Sequence, residues 1–131
     1  MRIGELSRRA GVAVDTVRYY EKRGLLPRPR RTPGGFRDYD DGAVARLAAI
    51  ARAKALGFTL AETGALLRLG DAPDADAADV RARAAERLAE TEAALAALRV
   101  QRDALRDLVD ACRGADVARG DCPILGEILS P

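Results

Sequence analysis

Two cysteines, Cys112 and Cys122, are the residues best equipped for chemistry in this 131-residue chain. They are separated by Arg-Gly-Ala-Asp-Val-Ala-Arg-Gly-Asp, a short polar loop with two glycines. Pro123-Ile124-Leu125 and then Ile128-Leu129 follow, an apolar patch suited to a brief closing helix. A cytosolic cysteine pair is more often metal-binding or redox-active than a structural disulfide. Cysteines that merely fill space would sit better in an apolar helix than on either side of a glycine-containing loop. The chain contains no His. That excludes His-based general-base catalysis, Ser-His-Asp triads, HExxH zinc sites and Cys₂His₂ fingers. Two thiolates without His form a soft, low-coordinate donor set suited to Cu(I), Ag(I), Au(I) or Hg(II). Asp74, Asp76, Asp79, Asp116 or Asp121 could assist a harder divalent ion, although solvated linker and loop carboxylates is the simpler reading of each. Neither a nucleophile–base pair nor a nucleotide loop is visible, so an enzyme is the least supported class.

The elements that must position these thiols are helical. Nearly half the residues are apolar (48%), yet only 4% are aromatic and there is no Trp. Alanine, Leu, Arg and Glu dominate, a mixture that favours helices over a β-sandwich. Ile3, Leu6 and Ala10 recur at helical spacing and Gly11 closes that helix. A second helix starts with Val14 or Asp15 at its cap, with Val17, Tyr20 and Leu25 as its apolar side and Gly24 as its stop. Two short helices joined by a tight turn form a helix-turn-helix pattern. Residues Arg30–Tyr39 then read as a turn between short extended arms, a basic wing.

Asp40 or Asp41 caps a third helix with a stripe of Val44, Leu47, Ala48 and Ala51, ended near Gly57. Thr59 and Glu62 make a capping box for a fourth, whose core residues are expected to be Leu60, Leu66 and Leu67. The organisation expected is therefore a mainly α protein. A winged helix-turn-helix domain spans 1–70, a linker 71–75, a dimerisation helix 76–112, and a metal-binding loop with a short C-terminal helix 112–131. In the long helix Leu88, Leu95 and Val109 share one heptad position, interrupted by Arg102, while Thr91, Leu98 and Leu105 share another that leads to Cys112. Such a seam calls for a partner helix, in a parallel or antiparallel coiled coil across a homodimer.

Charge is unevenly divided. Residues 1–70 hold 14 Lys and Arg against 7 Asp and Glu, whereas residues 71–131 hold 8 against 13, giving the overall +2. A basic front half suits a phosphate backbone, because Lys and Arg displace counterions from nucleic acid. With twenty Arg and two Lys, an Arg-rich surface of purely compositional origin is the competing reading. No stretch approaches the length of a membrane span and the N-terminus is amphipathic, so a cytoplasmic protein without a membrane partner is expected.

Several segments in order carry a resemblance. Ile3-Gly4-Glu5-Leu6, Gly11-Val12, Thr16-Val17-Arg18-Tyr19-Tyr20-Glu21 and Gly24-Leu25-Leu26 closely resemble the MerR family of transcriptional regulators. Gly34-Gly35-Phe36-Arg37-Asp38-Tyr39 is similar to that family's wing, and Leu56-Gly57-Phe58-Thr59-Leu60 to its second wing. The resemblance spans the chain, including the long helix and the cysteine-containing tail. It implies that Thr16, Arg18 and Tyr19 enter a major groove and that Arg31, Arg37 and Tyr39 clamp phosphates from the wing. Tyr20 faces the other way, for packing. Arg30, Arg52 and Lys54 are divided evenly between DNA contact and plain surface.

The resemblance further implies a dimer on a palindromic operator in double-stranded promoter DNA. Such a dimer activates RNA polymerase at that promoter by distorting the DNA when an effector binds. The tail resembles the metal-sensing branch, with Cys112 and Cys122 as ligands, and is most like the copper-efflux regulators that take Cu(I), Ag(I) or Au(I). The loop is about two residues longer than theirs, nearer the zinc and lead type. Ala77 stands where those regulators usually have Ser and where sensors of divalent ions have Cys. A divalent sensor for Hg, Zn, Cd or Pb therefore remains open. So do a thiol redox or electrophile sensor and, least favoured, an architectural DNA-binding protein.

Overall fold

The computed structural model describes residues 1–112, 114 and 118–131. It divides into two compact units, Met1–Arg87 and Leu88–Pro131. The first carries α1 (Ile3–Ala10), α2 (Val14–Lys22), β1 (Arg30–Arg31), β2 (Arg37–Asp38), α3 (Asp41–Ala55), α4 (Leu60–Asp71) and the start of α5 (Ala77–Ala111). The second carries the rest of α5, a 3₁₀ turn (Arg119–Asp121) and α6 (Pro123–Leu129).

Local chemistry explains most boundaries. Gly11 closes α1 in the left-handed region (φ 66°), where its N–H donates to the Ser7 carbonyl and a Cβ would be strained. The second helix begins at Val14 behind Ala13, which stands one position before the first expected cap and two before the second, and no side chain caps it. Asp40 caps α3 by accepting from the Ala43 N–H at 3.2 Å. Thr59 and Glu62 form the expected capping box of α4, through Glu62 N–H to Thr59 Oγ1 (3.1 Å) and Thr59 N–H to Glu62 Oε1 (2.8 Å). Asp76 accepts from the Ala78 N–H at 3.0 Å and so caps the start of α5, an ordinary structural use for a linker carboxylate.

The core of the first unit gathers Leu6, Val17, Leu26, Leu47 and Ile50, each at most 2% exposed, with Tyr20, Leu25, Tyr39 and Ala43 around them. Each fully buried Leu, Ile or Val contributes about 1.5–3 kcal/mol. Two expected stripes are corrected. In α3 the buried residues are Ala43, Leu47 and Ile50, whereas Ala48 and Ala51 are exposed. In α4 they are Thr63, Gly64 and Ala65, whereas Leu60, Leu66 and Leu67 are half-buried, Leu60 and Leu67 still packing against the core. The cause is close approach: a Cβ on Gly64 would lie 3.2 Å from Leu25 Cδ2, so small residues sit where this helix meets its neighbour. Arg46 adds a polar pin, its Nε donating to the Leu25 carbonyl at 3.0 Å while its guanidinium pairs with Asp71 at 2.9 Å.

The wing is a two-stranded antiparallel hairpin pairing Arg30 with Asp38 and Arg31 with Arg37. Its Pro33-Gly34-Gly35 loop closes through Thr32 N–H to Phe36 O (2.7 Å) and Gly35 N–H to Thr32 O (2.8 Å). Gly35 is at φ 85°, the left-handed residue that three-residue hairpin loops require. In the second unit Leu88, Leu95, Leu98, Leu105 and Val109 are exposed along α5.

Candidate nucleic-acid interface and thiol pair

Helix α2 sorts its residues by the 3.6-residue period. Val17 and Tyr20 are buried, which turns Arg18 and Tyr19 outward and leaves Thr16 half-buried at the helix start. Arg18 is loosely paired with Asp15 at 3.6 Å, one turn earlier on an exposed surface. Tyr19 is 46% exposed, with the Arg23 guanidinium 5.9 Å from its ring centroid. On the wing, Arg31 donates to the Gly35 carbonyl at 2.8 Å, which steadies a long side chain against the hairpin loop. Arg18, Arg31 and Arg37 line a common cleft of about 520 Å³, joined there by Lys22 and Arg28, which the sequence reading left aside. Glu21 is the acidic member of that cleft.

Tyr39 differs from its expected place. Only 3% exposed, it is a core residue, and its hydroxyl donates to Glu21 Oε2 at 2.8 Å. Burial, together with that carboxylate, pushes its pKa up to about 12. The ring of a half-apolar residue filled the gap behind the wing, so its hydroxyl faces the protein and not the solvent. Arg37 donates its Nε to Glu21 Oε1 at 3.1 Å, and Glu21 through its hydrogen bond and charge raises the Arg37 pKa further. Glu21 thus joins the outward-facing helix to the wing. Its only signal in the sequence was an acidic residue within a run of basic ones.

The other expected site lies in the second unit. Cys112 follows the last turn of α5 and Cys122 immediately precedes α6. Their sulfurs are 3.4 Å apart and both residues are half-buried. That separation is well beyond a disulfide bond of about 2.05 Å, so both are thiols near enough to share one ion. The backbone N–H of Leu125, the Cys112 thiol and the Ile124 N–H hold Cys122 below the usual thiol pKa, against the opposing effect of burial. A lowered pKa favours the thiolate, the form that binds metal. Among the described residues no group of three or more His, Cys, Asp or Glu converges. Thiolates are soft donors. Asp116 lies outside the described residues.

Comparison with known proteins fits this arrangement. The model of the MerR HTH family of regulatory proteins matches residues 1–69, and the MerR DNA-binding model matches residues 44–108. The chain belongs to the MerR family. The HTH-type transcriptional regulator HmrR of Rhizobium leguminosarum bv. viciae is 43% identical, over 98% of this chain and 97% of the relative. A heavy metal-dependent transcription regulator of Rhizobium meliloti is 39% identical, over 99% of this chain and 87% of its own length. Among solved structures, the transcription regulator PbrR691 of Ralstonia metallidurans, in complex with lead(II), is similar with a TM-score of 0.86. It is 38% identical, with 98% of each chain covered. This MerR-family chain is accordingly a DNA-binding transcriptional regulator and not an enzyme. No helix among the described residues is long and apolar enough to cross a membrane.

Proposed function

We propose that this chain is a cytoplasmic metal-responsive regulator. It binds a palindromic promoter operator as a homodimer, and it activates transcription by RNA polymerase through DNA distortion when Cu(I), Ag(I) or Au(I) binds Cys112 and Cys122. The observation that carries the metal reading is the 3.4 Å approach of two sulfurs ten residues apart, with no third donor group among the described residues. Two thiolates satisfy a soft monovalent ion and leave zinc, which takes four ligands, half-coordinated. Thr16, Arg18, Tyr19, Arg31 and Arg37 make the DNA contacts in this reading, and Tyr39 supports the wing from behind. The exposed Leu88, Leu95, Leu98, Leu105 and Val109 form the dimer seam.

Loading the thiol pair would hold the end of α5 and the start of α6 as one crosslinked turn. That biases how Ile124, Leu125, Ile128 and Leu129 pack, a local choice between two arrangements that the dimer passes to the DNA. DNA shape then changes with little change in operator affinity. A second reading, a divalent sensor, is favoured by the lead(II) complex of the similar PbrR691.

Anaerobic titration of the reduced protein with Cu(I), Hg(II), Pb(II) and Zn(II), read by thiolate-to-metal absorption, separates the two. The monovalent reading expects one tight Cu(I) site that survives excess reductant and is lost in Cys112→Ser and in Cys122→Ser. Both variants should keep operator binding while losing metal-induced transcription. Strong induction by Pb(II) or Zn(II) without Cu(I) would overturn the choice of metal, and full induction in the double variant would overturn the switch.

A further inference from the structure

The start of α1 and the tip of the wing meet in a way that the interface described above does not use. The Arg2 guanidinium lies over the Phe36 ring, 3.9 Å from its centroid. Phe36 is 54% exposed, so the ring contributes little to the core. Both residues line a cleft of about 440 Å³ together with Arg18, Arg31 and Arg37. Stacking holds a guanidinium by its face and leaves its N–H groups free in the plane. It also removes part of the side-chain entropy that an unrestrained Arg loses on binding. Asp38 is an acidic group that feels Arg2: its carboxylate accepts from the Met1 amino group at 2.8 Å and is held below its usual pKa mainly by that contact, with Arg2 and Arg30 adding smaller effects.

We infer that Arg2, poised on Phe36, is a further DNA contact. It meets a backbone phosphate in the cleft it shares with Arg18, Arg31 and Arg37, while Phe36 acts as a platform and not as a contact. The inference rests on the proposal that Arg18 and Arg37 face DNA. Arg2 precedes α1, and its side chain caps nothing there, so its removal spares the helix.

Operator affinity across a salt series tests the assignment. Each phosphate contact contributes about 0.9 to the slope of log affinity against log salt. Losing one contact per protomer of a dimer therefore lowers the slope by about 1.8. The affinity ratio of wild type to Arg2→Ala should shrink roughly tenfold between about 50 and 200 mM salt. Arg2→Lys should restore the slope, because the charge remains. Phe36→Leu should weaken binding with the slope unchanged, because only the platform is lost. Arg83→Ala, which removes the same charge from the exposed surface of α5, should leave the slope as it is. An unchanged slope in Arg2→Ala, or an equal loss in Arg83→Ala, would overturn the inference. If Arg37→Ala still weakens binding, the broader interface survives that failure. If Arg18→Ala and Arg37→Ala are both silent, the interface reading fails as well.

Discussion

The hydroxyl of Tyr39 donates a 2.8 Å hydrogen bond to Glu21 Oε2, and this bond fastens the base of the wing to helix α2. Because the other oxygen of Glu21 accepts from Arg37, one carboxylate ties together the two parts proposed to face DNA. The geometry of the interface therefore depends on a residue that need not touch nucleic acid itself.

That bond has a pH signature. The Tyr39 pKa is pushed from 10.0 to about 12, so its stabilising contribution is complete below pH 10 and is lost as pH rises through about 12. Tyr39→Phe should lower stability at neutral pH by about 1.5–3 kcal/mol, the range for a hydrogen bond to a charged acceptor. It should also remove part of the alkaline loss. Denaturant unfolding at neutral pH and at several alkaline pH values checks both expectations.

On the outward side, Arg18→Ala should weaken operator binding by about 1–3 kcal/mol if Arg18 reads a base edge. Arg37→Ala should weaken binding more evenly across sequences and reduce the salt dependence, as expected for a phosphate contact. Fluorescence anisotropy with the operator and a scrambled duplex distinguishes the two behaviours.

Leu95 and Leu98 are 47% and 59% exposed along α5. Replacing both with Asp should place charges in the proposed seam and dissociate the dimer. Sedimentation velocity at micromolar concentration should show dimers for the wild type and monomers for the variant. A monomeric wild type would remove the seam.

The capping box of α4 supplies a test on the acid side. Thr59→Ala should cost about 1 kcal/mol. The Thr59 backbone N–H, with help from the Thr59 hydroxyl side chain and Arg87, holds Glu62 below its ordinary 4.5. Its contribution is therefore present above pH 4.5 and lost as pH falls further. Glu62→Gln should flatten that acid limb, measured by thermal unfolding across pH.

What could be read from the sequence was local. Gly11 needs no distant partner to end α1, nor do Thr59 and Glu62 to start α4, because their groups bond within a turn of chain. The same holds for the wing, whose Pro33-Gly34-Gly35 loop specifies its own hairpin, and for the uninterrupted helical run that became α5. Residue type alone also identified the cysteines as the candidate thiol site.

Burial, by contrast, depended on what each side met in space. Alanine gives a weak periodic signal, so Ala48 and Ala51 were expected in the buried stripe and Ala43 was not, yet of these three only Ala43 is buried. Gly64 was chosen by the approach of Leu25 from the turn after α2, a constraint that no spacing along α4 records. Tyr39 looked like a phosphate clamp because a tyrosine can point either way. Glu21, 18 residues earlier in the chain, was near enough to turn its hydroxyl inward. The closeness of Cys112 and Cys122 was likewise a tertiary outcome: nine intervening residues permit many separations, and the junction of α5 and α6 selected 3.4 Å.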